Sequence, residues 1–306
     1  MAVGKKEKEG VFRTSAGHLI SLFLKFSEMK GLSPRTIKYY SDKLGRFLLF
    51  IEERPLEAEK KFPDAEDVLE FILHLKKSGN SPESVNCYLR AIKVFFRWAA
   101  SQGFLERNPA QGIPFQKVKR ALFPTLTYSE MQKLLDAAKK GKCAKRDVAI
   151  LLLLLDTGIR PGELCGLTLK DLDFRMDLIR VCGKTGERVL PISQATRRAL
   201  LSYLRERKGE AREDALFLTE QGQPFNPDML RHPLARLRKR AKVERAFPYM
   251  LRHTAATTYL REGADLETVR RLLGHSTYAV TQRYLNLTQG DLARAQRKAS
   301  PVNRLK

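Results

Sequence analysis

The chain has 306 residues, enough for two domains with a core in each, and its apolar fraction of 43% excludes disorder over most of its length. Fifty-seven Lys and Arg against 34 Asp and Glu leave a formal charge of +23, spread along the chain rather than held in one tail. That excess points to a polyanion, nucleic acid before a ribosomal surface. A membrane is excluded, because the longest apolar run, Val148 to Leu155, falls far short of the ~20 residues that span a bilayer.

Residues 1–14 read as a flexible basic N-terminus with no signal peptide, since no apolar segment follows "MAVGKKEKEG". "SAGHLISLFLKFSEMKG" then places Leu19, Ile20, Phe23, Phe26 and Met29 at helical spacing and stops at Gly31. A second helix opens with Ser33 as cap and Pro34 at its first position, with a stripe of Ile37, Tyr40, Leu44, Phe47, Leu48 and Ile51. In a third, Val68, Phe71, Ile72 and Leu75 face inward. A fourth repeats the Ser-Pro opening at Ser81 and turns Val85, Leu89, Ile92, Phe96 and Ala99 inward. These predict a four-helix domain over 15–103. Residues 104–124, with three prolines and the cluster Lys117, Lys119 and Arg120, read as an exposed basic linker.

A second domain, 125–288, opens with a capping box, Thr127 and Glu130, and continues into the apolar helix "KRDVAILLLLLDTG". "LIRVCGKTGERVLPIS" is two β-prone runs about a Gly-Lys-Thr-Gly turn, a hairpin. Helices follow over 194–208, 227–241, 248–261, 266–273 and 277–286, and a basic tail fills 289–306. The fold class is mainly α with a small β-sheet. Cys87, Cys143, Cys165 and Cys182 form no C-x-x-C pair, so they read as reduced thiols of a cytoplasmic protein. No phosphate-binding glycine loop or HExxH motif occurs.

Several residues are odd for a plain helical core. In "DTGIRPGEL", Arg160 is either a clamp on carbonyls or a fork of donors for a phosphate, with Glu163 one turn later to hold it. Lys184 stands at the hairpin tip between glycines, where a lysine is either simply solvated or a donor reaching into a DNA groove. In "PYMLRHTAATTYL", Tyr249 and Arg252 share a helix face. After "LLGHS", Tyr278 and Tyr284 are either core aromatics or a reactive pair member.

Taken in order, "TGIRPGEL", a Lys hairpin 24 residues on, "LRHTAAT", "LLGHS" and a tyrosine nine residues after that His resemble the tyrosine recombinases, the Xer-type and phage integrases. "SPRTIKYYSDKLGRFL" and "SPESVNCYLRAIKVFFRWAASQGFLERNPA" are similar to that family's SAM-like core-binding domain, so the resemblance reaches from about Ser15 to Leu287. It implies a site-specific DNA recombinase working through a 3′-phosphotyrosine and a Holliday junction. Tyr284 is then the nucleophile and Tyr278 structural. Arg160 and Arg252 neutralise the phosphate, Lys184 protonates the leaving 5′-oxygen, and His275 hydrogen-bonds the phosphate. The resemblance implies no cofactor, neither metal nor ATP. It also implies double-stranded DNA sites as substrate, a homotetramer on two sites, a tail packed on a neighbouring protomer, and a bacterial or archaeal cytoplasmic location at the nucleoid. Where the family commonly has His, this chain has Tyr249, a poor base near neutrality but a possible donor to phosphate. A type IB topoisomerase and a non-catalytic DNA-binding regulator are the rivals, disfavoured by "GHS" and by the full set of five residues.

Overall fold

The computed structural model describes residues 3–53, 62–118, 124–183, 186–207 and 214–282, with side chains from Ala16 onward. The chain divides into two units, Met1–Ala121 and Leu122–Lys306.

The first unit is α1 (Val3–Met29), α2 (Pro34–Glu52), α3 (Ala65–Lys77) and α4 (Pro82–Ser101). The backbone is already helical from Val3, across the stretch read as a flexible N-terminus. The Ser-Pro openings do their expected work: Ser33 accepts from the Thr36 amide and Ser81 from the Ser84 amide, each satisfying a donor that a helix start leaves orphaned. Asp64 and Asp67 form a reciprocal capping box on α3. Phe23, Leu44, Phe47, Phe71, Leu75, Leu89, Ile92 and Phe96 meet in one apolar core. Met29, at the end of the predicted α1 stripe, runs past that core and is 74% exposed.

The linker departs from expectation. Residues 104–118 lie along α4 instead of standing free, because Ala110 and Ile113 are buried in the same core. The Asn86 amide brackets Gln116, donating to its carbonyl (2.9 Å) and accepting from its N–H (2.8 Å). Lys117 stays exposed, while Lys119 and Arg120 lie outside the described residues.

The second unit carries α5 (Tyr128–Lys139), α6 (Ala144–Thr157), α7 (Pro161–Cys165), β1 (Leu172–Asp173), β2 (Leu178–Gly183), β3 (Gly186–Pro191), α8 (Gln194–Glu206), α9 (Arg231–Ala241), α10 (Pro248–Arg261), α11 (Leu266–Leu273) and α12 (Tyr278–Thr281). α6 is its axis, packed by α5, α8 and α10 with Ile150, Leu151, Leu153 and Leu154 buried. The expected hairpin is antiparallel with Gly183 opposite Gly186, and β1 adds a third strand too short to leave a period-two signal. α9 begins at Arg231 rather than at Pro227, because Asn226 Oδ1 accepts from the Asp228 and Met229 amides and holds that stretch as a turn.

Candidate active site

The site is built where two helices end. α6 closes at Thr157, whose hydroxyl donates to the Leu153 carbonyl and accepts from the Ile159 amide. Gly158 follows in the left-handed region (φ +61°), and a Cβ there would stand 2.7 Å from Leu273 Cδ2. α11 closes in the same way at Gly274 (φ +62°), where a Cβ would stand 2.8 Å from an Arg188 guanidinium nitrogen. Both glycines of "DTG" and "LGH" are therefore required by backbone conformation and by close approach.

The last carbonyls of α11 have no partners within the helix, and arginines take them. Arg188 Nε donates to Leu272 (2.9 Å), Arg252 to Leu273 (2.7 Å) and Arg160 to Gly274 (2.7 Å). Arg270 donates to the next carbonyl, His275 (2.7 Å). Four cations thus gather at the negative end of the helix dipole. Arg252 is buried, and its other terminal nitrogen reaches the Gly158 carbonyl at the end of α6 (2.6 Å).

Glu163 is buried beneath these groups. It accepts from the Arg160 amide (2.9 Å) and guanidinium (2.7 Å), and from both terminal nitrogens of Arg188 (2.9 and 2.8 Å). Burial is the largest single influence on its carboxyl and raises the pKa. The hydrogen bonds from Arg188 and Arg160, with the Arg188 charge, together outweigh it and hold the pKa at about 2. Arg160 is so fixed through its amide, its guanidinium and Gly274, yet its side chain remains 35% exposed. His275 is buried, with Nε2 at 2.8 Å from the Arg252 guanidinium and Nδ1 at 2.9 Å from Thr281 Oγ1.

The structure therefore brings Arg160, Glu163, Arg252 and His275 together around the end of α11. Tyr249 stands in the first turn of α10, three residues before Arg252, and is 60% exposed. Lys184 and Tyr284 lie outside the described residues. Tyr278 is half exposed, with its ring beneath the Arg270 guanidinium (5.3 Å).

Residues 124–290 match the family described as "Phage integrase family", and residues 19–104 match "Phage integrase, N-terminal SAM-like domain". The chain belongs to the phage integrase family. Like the tyrosine recombinases of that family, it is a DNA strand transferase that performs site-specific recombination through a tyrosine. It is 34% identical over 302 residues to the tyrosine recombinase XerC of Thermodesulfovibrio yellowstonii, covering 95% of this chain and 99% of that one. It is 32% identical over 280 residues to XerD of Listeria innocua, covering 89% and 94%. Among solved structures, XerA recombinase aligns with a TM-score of 0.53 at 28% identity, over 93% of this chain and 99% of that one. The fold is also that of the Tn1549 transposon integrase in complex with transposon right-end DNA (TM-score 0.73, 22% identity, 92% and 98% covered).

Three residues of this recombinase's site escaped the sequence reading. Arg188 sits on the same side of β3 as buried Leu190, opposite buried Val181, and a cation at an inward strand position demands a buried anion. That signal was available in "ERVLP". Arg270 and Thr281 carried none, because what they touch is set by how α11 and α12 turn about Gly274.

Proposed function

We propose that Arg160 and Arg252 bind the non-bridging oxygens of the scissile phosphate and neutralise the charge that builds in the pentacoordinate state. Tyr284 attacks: its oxygen bonds to phosphorus, the bond from phosphorus to the 5′-oxygen breaks, and Lys184 gives that oxygen a proton. His275 stands at the phosphate, Tyr249 donates to it, and Glu163 holds Arg160 in place. The observation that carries this reading is the meeting of Arg160, Arg252 and His275 at one helix end, although Arg160 and Gly274 lie 114 residues apart in sequence. A prebuilt cationic cluster offers the charge that a metal pair offers in many nucleases, so the reaction requires neither metal nor nucleotide.

Double-stranded recombination sites are the substrate, and the basic excess supplies a counterion-release component to binding. The two domains, 15–103 and 125–288, clamp the duplex through the segment 104–124. Four protomers assemble on two sites in the bacterial or archaeal cytoplasm, and the tail 289–306 couples one protomer to the next.

A nicked suicide substrate that traps covalent adduct on a denaturing gel tests the assignment. Tyr284→Phe should bind DNA and give no adduct, Tyr278→Phe should give adduct, and the parent should do so in excess EDTA without nucleotide. Adduct that persists in Tyr284→Phe and vanishes in Tyr278→Phe overturns the nucleophile. Loss in EDTA that Mg²⁺ restores overturns the metal-free mechanism.

A further inference from the structure

Arg188 is a cation on the inward side of β3, and stability alone does not account for placing one there. Once a buried ion pair is present each partner needs the other, but apolar side chains of the same volume often hold a fold as well. Glu163 is buried and the Arg188 side chain is 11% exposed. The backbone makes room for the pair on both sides. A Cβ on Gly183 would stand 2.5 Å from Glu163 Oε1, and a Cβ on Gly274 would stand 2.8 Å from Arg188 Nη1 and 3.0 Å from its Cζ. Gly274 has a left-handed φ and Gly183 does not, so at the end of β2 it is the approach of the carboxylate that demands a glycine.

The bonds of this pair converge on Arg160. Glu163 Oε1 accepts from Arg188 (2.9 Å) and from the Arg160 guanidinium (2.7 Å), while Oε2 accepts from Arg188 (2.8 Å) and from the Arg160 amide (2.9 Å). Two parallel bonds from one fork fix the plane of the carboxylate, which a single donor would leave free to turn. The other terminal nitrogen of Arg160 donates to the Gly274 carbonyl (2.7 Å), and Arg188 bears on that point as well. Its Nε donates to the Leu272 carbonyl (2.9 Å), two residues earlier, and its guanidinium lies against Gly274. Both groups that hold the Arg160 guanidinium are therefore themselves held by Arg188.

We propose that Arg188 is a positioning residue of the recombination reaction, setting the Arg160 guanidinium through Glu163 and through the Gly274 carbonyl. The proposal rests on the reading above that Arg160 meets the scissile phosphate. Arg188 acts by geometry and by charge. One carboxylate between two guanidiniums leaves a net positive charge, so Glu163 orients Arg160 without cancelling it. Arg160 keeps its partial exposure for an anion, while Arg188 stays behind it.

The test is a double-mutant cycle between Arg188 and Arg160, read by single-turnover cleavage of the nicked suicide substrate, by DNA affinity and by urea unfolding. Arg188→Lys keeps the charge but offers a point donor in place of the fork, and it carries the cycle even if Arg188→Met fails to fold. It should bind DNA as the parent does and cleave about 10²-fold more slowly, the loss expected when a catalytic group is misplaced by about 1 Å. Arg188→Met, which removes the charge as well, should cleave more slowly still. In an Arg160→Lys background, Arg188→Lys should add little to the loss already present, because the two act as one unit. Leu190→Ala removes apolar volume from the same side of β3, and should lower stability while the folded protein cleaves at the parent rate. Arg188→Lys at the parent rate overturns the proposal, as does a loss that persists undiminished in the Arg160→Lys background. Equal slowing by Leu190→Ala, or a loss wholly explained by weaker DNA binding, also overturns it. Arg160→Lys at the parent rate would instead break the underlying site reading.

Discussion

Both units of the molecule have an apolar core, and they differ in the polar groups buried beside it. In Met1–Ala121 the buried polar side chains among the described residues are Ser27 and Asn86, and the core is aromatic: Phe47 meets Phe71 at 5.2 Å and Phe96 at 6.2 Å. In Leu122–Lys306 the buried set includes Arg146, Asp147, Glu163, Arg252 and His275. The first interior gains stability from non-directional burial, which tolerates small shifts. The second keeps charges out of water, where each is costly unless hydrogen-bonded, and therefore holds them in one geometry. A scaffold needs only the first kind of interior. On the function proposed above, arginines that meet a phosphate already in position need the second, and the carbonyls at the ends of α6 and α11 hold them.

The sharpest way to break this contrast is to remove volume from the aromatic core. Phe96→Ala should cost about 3–5 kcal/mol in urea unfolding, and by the same amount at pH 7 and pH 3, since no charge is involved. A cost that varies with pH would show that the first interior is not purely apolar in its energetics.

Next comes Glu163→Gln. The folded carboxyl sits at about 2 against an ordinary 4.5, so ionised Glu163 contributes roughly 3 kcal/mol, all of it present above pH 4.5. Because the folded pKa is depressed, that contribution is lost as pH falls from about 4.5 to 2. Glu163→Gln should therefore be less stable than the parent at neutral pH by about that amount, and the difference should close by pH 2. Urea unfolding across that range measures it, and a gap that stays constant would refute the buried ion network as the cause.

The smallest effect on stability belongs to Tyr249, which is 60% exposed. Tyr249→Phe should leave unfolding unchanged and slow single-turnover cleavage about 10²-fold, as expected for one lost donor in the transition state. Tyr249→His should retain activity and add a pH dependence near about 6.5. A Phe variant as fast as the parent from about pH 5.5 to 9 would leave the position without a part in the chemistry.

What could be read before the structure was whatever is decided within one or two turns. Ser33-Pro34, Ser81-Pro82 and Thr127 with Glu130 announce helix starts because cap and capped amide lie three residues apart. The residues Arg160, Arg252 and His275 were legible as motifs in order. The linker was misread because prolines and lysines describe its exposed side, whereas Ala110, Ile113 and the bracket from Asn86, 30 residues earlier, decide where it lies.

By itself the sequence determined the helices, the hairpin and the family, since capping, periodicity and motif order are local or linear properties. Only the tertiary structure decided how the site is held. Arg188 meets Glu163 across 25 residues, and Arg252 meets the Gly158 carbonyl across 94. These pairings follow from where α6 and α11 end in space. An orphaned helix-end carbonyl accepts from whichever donor packing brings within about 3 Å, and no local pattern encodes that donor.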